Sequence, residues 1–148
     1  MFRGVTQLCL DGKGRFAVPA KYRDELLSSC NGNLVITVDR SRCLLIYPQP
    51  AWEPIEKKLN SLSSFKPQIR SLQRLIVGNA CDVEMDSVGR ILVSSPLRQF
   101  AELTKDIVLV GQGEKFELWD ADKWNQVIEA ALDFKEDDIP SELDGFSL

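Results

Sequence analysis

The chain repeats itself, and few folds can accommodate the repeat. With residue 11 laid over residue 86, Asp11, Gly14, Arg15, Val18 and Arg23 fall on Asp86, Gly89, Arg90, Val93 and Arg98. Apolar character is kept at Phe16/Ile91 and Tyr22/Leu97. After a three-residue deletion the match resumes, with 35–38 on 107–110, 44–47 on 116–119, and Trp52 on Trp124. Beyond each tryptophan runs an apolar stripe at helical spacing: Trp52, Ile55, Leu59 and Leu62, then Trp124, Val127, Ile128 and Ala131. Two diverged copies of one small unit predict a pair of supersecondary modules sharing a core.

Each copy reads the same way. A strand (5–10; 80–85) leads through a glycine turn to a short second strand (15–18; 90–93). A short helix follows, opened by Pro19 in one copy and by Ser95 as N-cap with Pro96 at the first helical position in the other. Two more strands and the tryptophan helix complete the unit. Neither copy has the long crossovers that parallel strands require. The fold class expected is α+β, with strands of both copies interleaved into one compact β-barrel-like core and helices at its periphery. Between the copies, Pro67 starts and Gly78 ends a helix with an apolar stripe (Ile69, Leu72, Ile76). Its basic row, Lys66, Arg70 and Arg74, reads as a solvated or intersubunit face. The boundaries expected are 5–51 and 80–123 for the two repeats, 52–79 for a helical connector, and 124–148 for a C-terminal helix and acidic, loosely ordered tail.

Net charge is −4, yet it is unevenly spread. Residues 1–75 hold twelve Lys and Arg against six acids, whereas 76–148 hold six against sixteen. Polyanion binding follows the local field rather than the total. Arg3, Lys13, Arg15, Lys21 and Arg23 share the first 23 residues with Asp11 alone. Arg90 and Arg98 stand instead beside Asp82, Glu84 and Asp86.

Several function classes fall away. The chain contains no histidine for general-base work, no Gly-x-Ser-x-Gly and no Walker A loop. Gly12, Gly14 and Ala17 fit a dinucleotide fingerprint, but that loop must open a helix in a βαβ unit, and Phe16 to Pro19 do not. Cys9, Cys30, Cys43 and Cys81 form no Cys-x-x-Cys pair, so neither zinc nor another cofactor is expected. Cys9 and Cys81, inside apolar runs, read as small buried side chains, and no disulfide framework is expected. The first six residues have no apolar h-region and no stretch could cross a membrane, so a cytoplasmic protein is expected.

The chemistry concentrates in the turn. Asp11 and Asp86 can accept hydrogen bonds from backbone N–H groups further along the turn, and Gly14 and Gly89 can supply positive φ. Arg15 and Arg90 have two readings. Each can pair with the aspartate four residues earlier, or project its planar fork toward guanine edges or phosphates.

The chain also resembles the MraZ family. The resemblance is carried by Met1 to Gly4, by Leu10, Asp11, Lys13, Gly14, Arg15, Val18 and Pro19, and by Tyr22 and Arg23. Further along it is carried by Leu44, Leu45, Tyr47, Pro48 and Trp52, by Pro67, Arg70, Arg74, Gly78 and Ala80, and by Met85, Asp86, Gly89 and Arg90. Leu103 to Lys105, Val108 to Gly111 and Phe116 to Trp119 extend it, so that it spans residues 1–132. It implies two tandem AbrB/SpoVT-like swapped-hairpin units, assembly of copies into a ring, and location at the nucleoid. It further implies a transcriptional regulator that binds short direct repeats of double-stranded DNA upstream of its own division and cell-wall gene cluster. Arg15 would touch bases, and Arg3, Lys13 and Lys21 would face phosphate. Arg90 matches the second motif in more acidic surroundings. The rival reading is an oligomeric protein-interaction scaffold without specific DNA binding.

Overall fold

In the computed structural model, residues 1–147 are described; Leu148, the end of the acidic tail, lies outside the described residues. The first copy contributes β1 (Phe2–Cys9), β2 (Arg15–Ala17), α1 (Ala20–Cys30), β3 (Asn33–Val38), β4 (Leu44–Pro48) and α2 (Gln49–Ser61). After α3 (Pro67–Leu72) the second contributes β5 (Cys81–Glu84), β6 (Arg90–Leu92), α4 (Ser95–Phe100), β7 (Asp106–Gly113), β8 (Lys115–Asp120) and α5 (Ala121–Leu132).

The copies exchange strands. Six strands form one antiparallel sheet in the order β1-β7-β8-β4-β3-β5, so each copy's first strand pairs with the other copy's third. Strands β2 and β6 form a separate two-stranded ribbon. The six-stranded sheet stays open, with β1 and β5 as edges, where a barrel-like closure was expected. Each edge strand is followed by the tight turn that leads its chain into the ribbon, which takes it away from the plane of the sheet.

A pseudo-twofold axis is visible in the register. Phe16 pairs with Ile91, and Leu45 pairs with Glu117; in both pairs a residue meets its own counterpart in the other copy. The axis therefore runs from the middle of the ribbon to the middle of the sheet. Phe16 and Ile91 are both buried and point inward along it.

Central strands β3 and β4 are buried on both faces, which explains their unbroken apolar runs. On one face Leu34, Ile36, Ile46, Leu109 and Phe116 pack under the ribbon and under Tyr22, Leu26 and Leu97 of α1 and α4. On the other, Val35, Tyr47, Val108 and Trp119 meet Trp52 of α2 and, at the margin, Trp124 of α5 and Ile76.

Several elements depart from expectation. Ser94 is the N-cap of α4, so Ser95 and Pro96 occupy its first two positions. Pro19 is the N-cap of α1 rather than a helical residue. The connector starts at Pro67 and ends at Gly78 but widens into a π-helical turn over Gln73–Val77. On α5, Trp124 packs against the sheet, whereas Val127 and Ile128 of the same stripe are exposed. Cys9 is exposed, not buried: it lies on an edge strand and alternation turns it outward, with Sγ 3.8 Å from Asp106 Oδ1. Cys81 is half-buried, and Cys43 is fully buried, where burial pushes its thiol up to about 12. The tail carries two short 3₁₀ turns, Glu136–Asp138 and Ser141–Leu143, and its described residues are exposed. No helix among the described residues is long and apolar enough to cross a membrane.

Candidate nucleic-acid interface

The two Asp-x-x-Gly-Arg turns fold identically. Asp11 Oδ1 accepts from the backbone N–H of Lys13 and of Arg15, both at 2.9 Å. Asp86 Oδ1 accepts from the N–H of Val88 at 3.0 Å and of Arg90 at 2.8 Å. The main chain closes each turn as well: Gly14 N–H donates to Asp11 O and Gly89 N–H to Asp86 O, each at 3.0 Å. Gly14 and Gly89 sit at φ +83° and +84°, a conformation that disfavours any other residue.

The first reading of the arginine is the one observed, and it leaves room for the second. Arg15 Nε donates to Asp11 Oδ2 at 2.9 Å, and Arg90 Nε to Asp86 Oδ2 at 3.0 Å. A carboxylate on Nε fixes the guanidinium plane and leaves the two terminal amino groups as an outward fork. No hydrogen bond engages those terminal groups among the described residues. An exposed ion pair of this kind adds little stability. Its use is to orient the fork.

The aspartates report on this geometry. The hydrogen bond from the Arg15 amide, followed by those from its side chain and the Lys13 amide, holds the Asp11 carboxyl below the usual carboxylate range despite some desolvation. Asp86 is lowered in the same way, chiefly by the Arg90 amide. A carboxyl depressed by folding contributes stability above its unfolded value, and that contribution is lost as pH falls through the folded value. An NMR titration of both side chains is expected to place their midpoints below the ordinary aspartate value of about 3.9. The turn amides should shift in step with them; a midpoint at or above that value would contradict the geometry.

The ribbon presents the two forks together. Strand alternation sends Phe16 and Ile91 inward and Arg15, Ala17, Arg90 and Leu92 outward. Arg15 lies opposite Leu92, and Arg90 opposite Ala17. Strand rise and spacing put the Cα atoms of the two arginines roughly 8 Å apart. Exposed Leu92 and Val88 give this face apolar contacts beside the forks.

The other sequence candidates divide. Lys13 is exposed at the tip of the first turn, where the second copy has Val88. Arg3 and Lys21 lie near one another at the far end of β1. The Tyr22 hydroxyl donates to Arg3 O, and a Cβ at Gly4 would stand 3.1 Å from Lys21 Nζ. Between Arg3 and Cys9 runs roughly 20 Å of strand, so this pair forms a second basic patch rather than part of the turn. Arg23 is withdrawn from the surface cluster and donates from Nε to Val18 O at 2.7 Å. Sequence reasoning gave no role to Arg98, which packs against the first turn. Its identity with Arg23 across the repeat was the available signal.

Comparison with known proteins agrees with this architecture. The family model for "MraZ protein" matches twice, over residues 1–75 and 76–144. A protein of Nitrosomonas europaea named transcriptional regulator MraZ is 72% identical over all 148 residues of both chains. A namesake from Nitrosospira multiformis is 70% identical, and one from Thiobacillus denitrificans 55%, again over the full length of both chains. The chain belongs to the MraZ family, which is one of transcriptional regulators and not of enzymes.

Proposed function

We propose that this chain is a sequence-specific DNA-binding regulator of transcription that reads short direct repeats upstream of its own division and cell-wall operon. The carrying observation is the paired Arg–Asp turn on an exposed two-stranded ribbon. A major groove about 12 Å wide admits such a ribbon, and a planar arginine fork matches guanine O6 and N7. Arg15 contacts bases, with Lys13 beside it toward phosphate. Arg3 and Lys21 reach flanking phosphate from the second patch, and Arg90 contributes less because it pairs with Asp86 and follows the acidic strand that carries Asp82 and Glu84. Asp11, Gly14, Asp86 and Gly89 hold the turns. The units are taken as repeats at 5–51 and 80–123, a connector at 52–79 and a C-terminal segment at 124–148, and the protein works at the nucleoid in the cytoplasm.

The working form is a homo-oligomeric ring. Apolar Val127, Ile128 and Leu132 on α5 are exposed in the single chain and suit burial against a second copy. A ring holds several turns at fixed spacing, so successive repeats are engaged with avidity and without new contacts. Fluorescence anisotropy with DNA from upstream of this protein's gene tests the reading at several salt concentrations. Binding should fall steeply with salt. A naturally spaced set of repeats is expected to bind on the order of 100-fold more tightly than one isolated repeat. Weak binding indifferent to sequence and spacing would favour a protein-interaction scaffold instead.

A further inference from the structure

We propose that Arg98 and Arg23 are positioning residues that brace the DNA-facing turns crosswise, each copy's helix holding the other copy's turn. This inference rests on the DNA-binding reading for its purpose, but its geometry does not. A Cβ at Gly14 would stand 2.6 Å from Cζ of Arg98, and one at Gly89 would stand 2.9 Å from Cζ of Arg23. Each guanidinium therefore lies flat against the bare glycine of the opposite turn, where no side chain would fit.

The main chain follows the same crossed pattern. Val18 N–H donates to Gly89 O at 2.8 Å, and Val93 N–H donates to Gly14 O at 2.9 Å. Each turn is thus tied to the start of the other copy's helix by one backbone hydrogen bond and one stacked arginine. Next along the chain from each glycine stands the arginine of the fork, so a shift in the glycine re-aims the fork directly. Such a misplacement matters, because bidentate recognition depends on fixed geometry.

The two braces are not equal. Arg23 Nε donates to Val18 O at 2.7 Å, whereas Arg98 Nε is buried without a hydrogen-bond partner among the described residues. A buried donor left unpaired is costly, so it persists only where packing determines the position. Arg98 belongs to the second copy yet adds its positive charge behind the first turn, beside Lys13 and Arg15. The acidic half of the chain thereby lends a cation to the basic half.

The test has one arm without DNA and one with it. Without DNA, Arg98→Ala is expected to speed hydrogen exchange at the Val93 and Arg15 amides at least tenfold, while the Val88 and Arg90 amides change little. Arg23→Ala should give the mirror pattern at Val18 and Arg90. With DNA, Arg98→Ala should weaken specific binding about tenfold at an unchanged salt slope. The double variant Arg98→Ala/Arg15→Ala should bind no more weakly than Arg15→Ala alone, as expected for residues acting through one contact. Arg98→Lys, which keeps the charge but lacks the flat guanidinium, should not restore binding. Arg98→Met keeps the stem and replaces alanine if that variant does not fold.

Unchanged exchange in the first turn would overturn the brace. So would an additive loss with a salt slope lessened by about one unit, which marks a direct phosphate contact. If the wild type shows no specific DNA binding at all, the DNA reading fails, and the exchange arm still decides the brace.

Discussion

Arg15→Ala is expected to abolish discrimination between operator and scrambled DNA while leaving the protein folded. One bidentate arginine–guanine contact carries about 1–3 kcal/mol of discrimination, or roughly 5- to 150-fold per site. In an assembly that engages several repeats at once the losses multiply, so a fall of at least about 100-fold is expected on a natural array. The fold should tolerate the change, because the Arg15–Asp11 pair is exposed and such pairs add little stability. Arg15→Lys keeps the charge and loses the fork; it should retain non-specific binding without recovering discrimination. Arg90→Ala should cost less than about tenfold, since the second turn has Val88 where the first has Lys13. Anisotropy titrations with operator and scrambled competitor read all three variants. A loss below about threefold for Arg15→Ala, or an equal loss on both DNAs, would remove Arg15 from the interface.

The largest effect on stability is expected at Phe16. It is buried on the pseudo-twofold axis opposite Ile91, and it roots the ribbon in the core beside Val18, Leu34 and Phe116. Truncating a buried phenylalanine to alanine costs about 3–5 kcal/mol, from lost transfer free energy and the cavity left behind. For a chain of this size that corresponds to a fall in melting temperature of roughly 10 °C at fixed protein concentration. Thermal melting by circular dichroism measures it. DNA affinity should fall as well, because a ribbon loosened at its middle no longer sets the distance between Arg15 and Arg90. A change of less than about 2 °C would mean that the core closes over the site, and that the ribbon is held mainly by its crossed turns.

The repeat made the local structure and the interleaving of the two copies legible, but left hidden which strand pairs with which. Alignment of Asp11 to Arg15 with Asp86 to Arg90 locates both turns, and the paired tryptophans locate two helices. Nothing in one sequence says that β1 pairs with β7 rather than with β3, because both alternatives bury the same alternating residues. That exchange is what carries Arg98 to Gly14 and Arg23 to Gly89, so the crossed contacts were equally out of reach. Cys9 was misread because an apolar run does not reveal which strand will lie at an edge. The stripe of Val127 and Ile128 was legible as one face of a helix, but helical periodicity does not report whether the same chain covers that face. Arg15 had two competing readings that looked exclusive on paper. The structure shows that they are compatible, since the bond to Asp11 uses Nε and leaves the terminal amino groups without a hydrogen bond among the described residues.

The departure from twofold symmetry has a further consequence. A pair of identical subunits crossing strands in this way would have two equivalent reading heads, suited to palindromes, as symmetric dimers are. Here the heads are joined in one chain, so a substitution in one is not forced on the other. The position of Lys13 could become Val88, and the strand before Arg90 could become acidic, without any change at Arg15. If the turns bind DNA as proposed, the outcome is a reader with polarity, strong at one end and weak at the other. A polar reader has a front and a back on the double helix, and copies arranged head to tail would all face the same way along it.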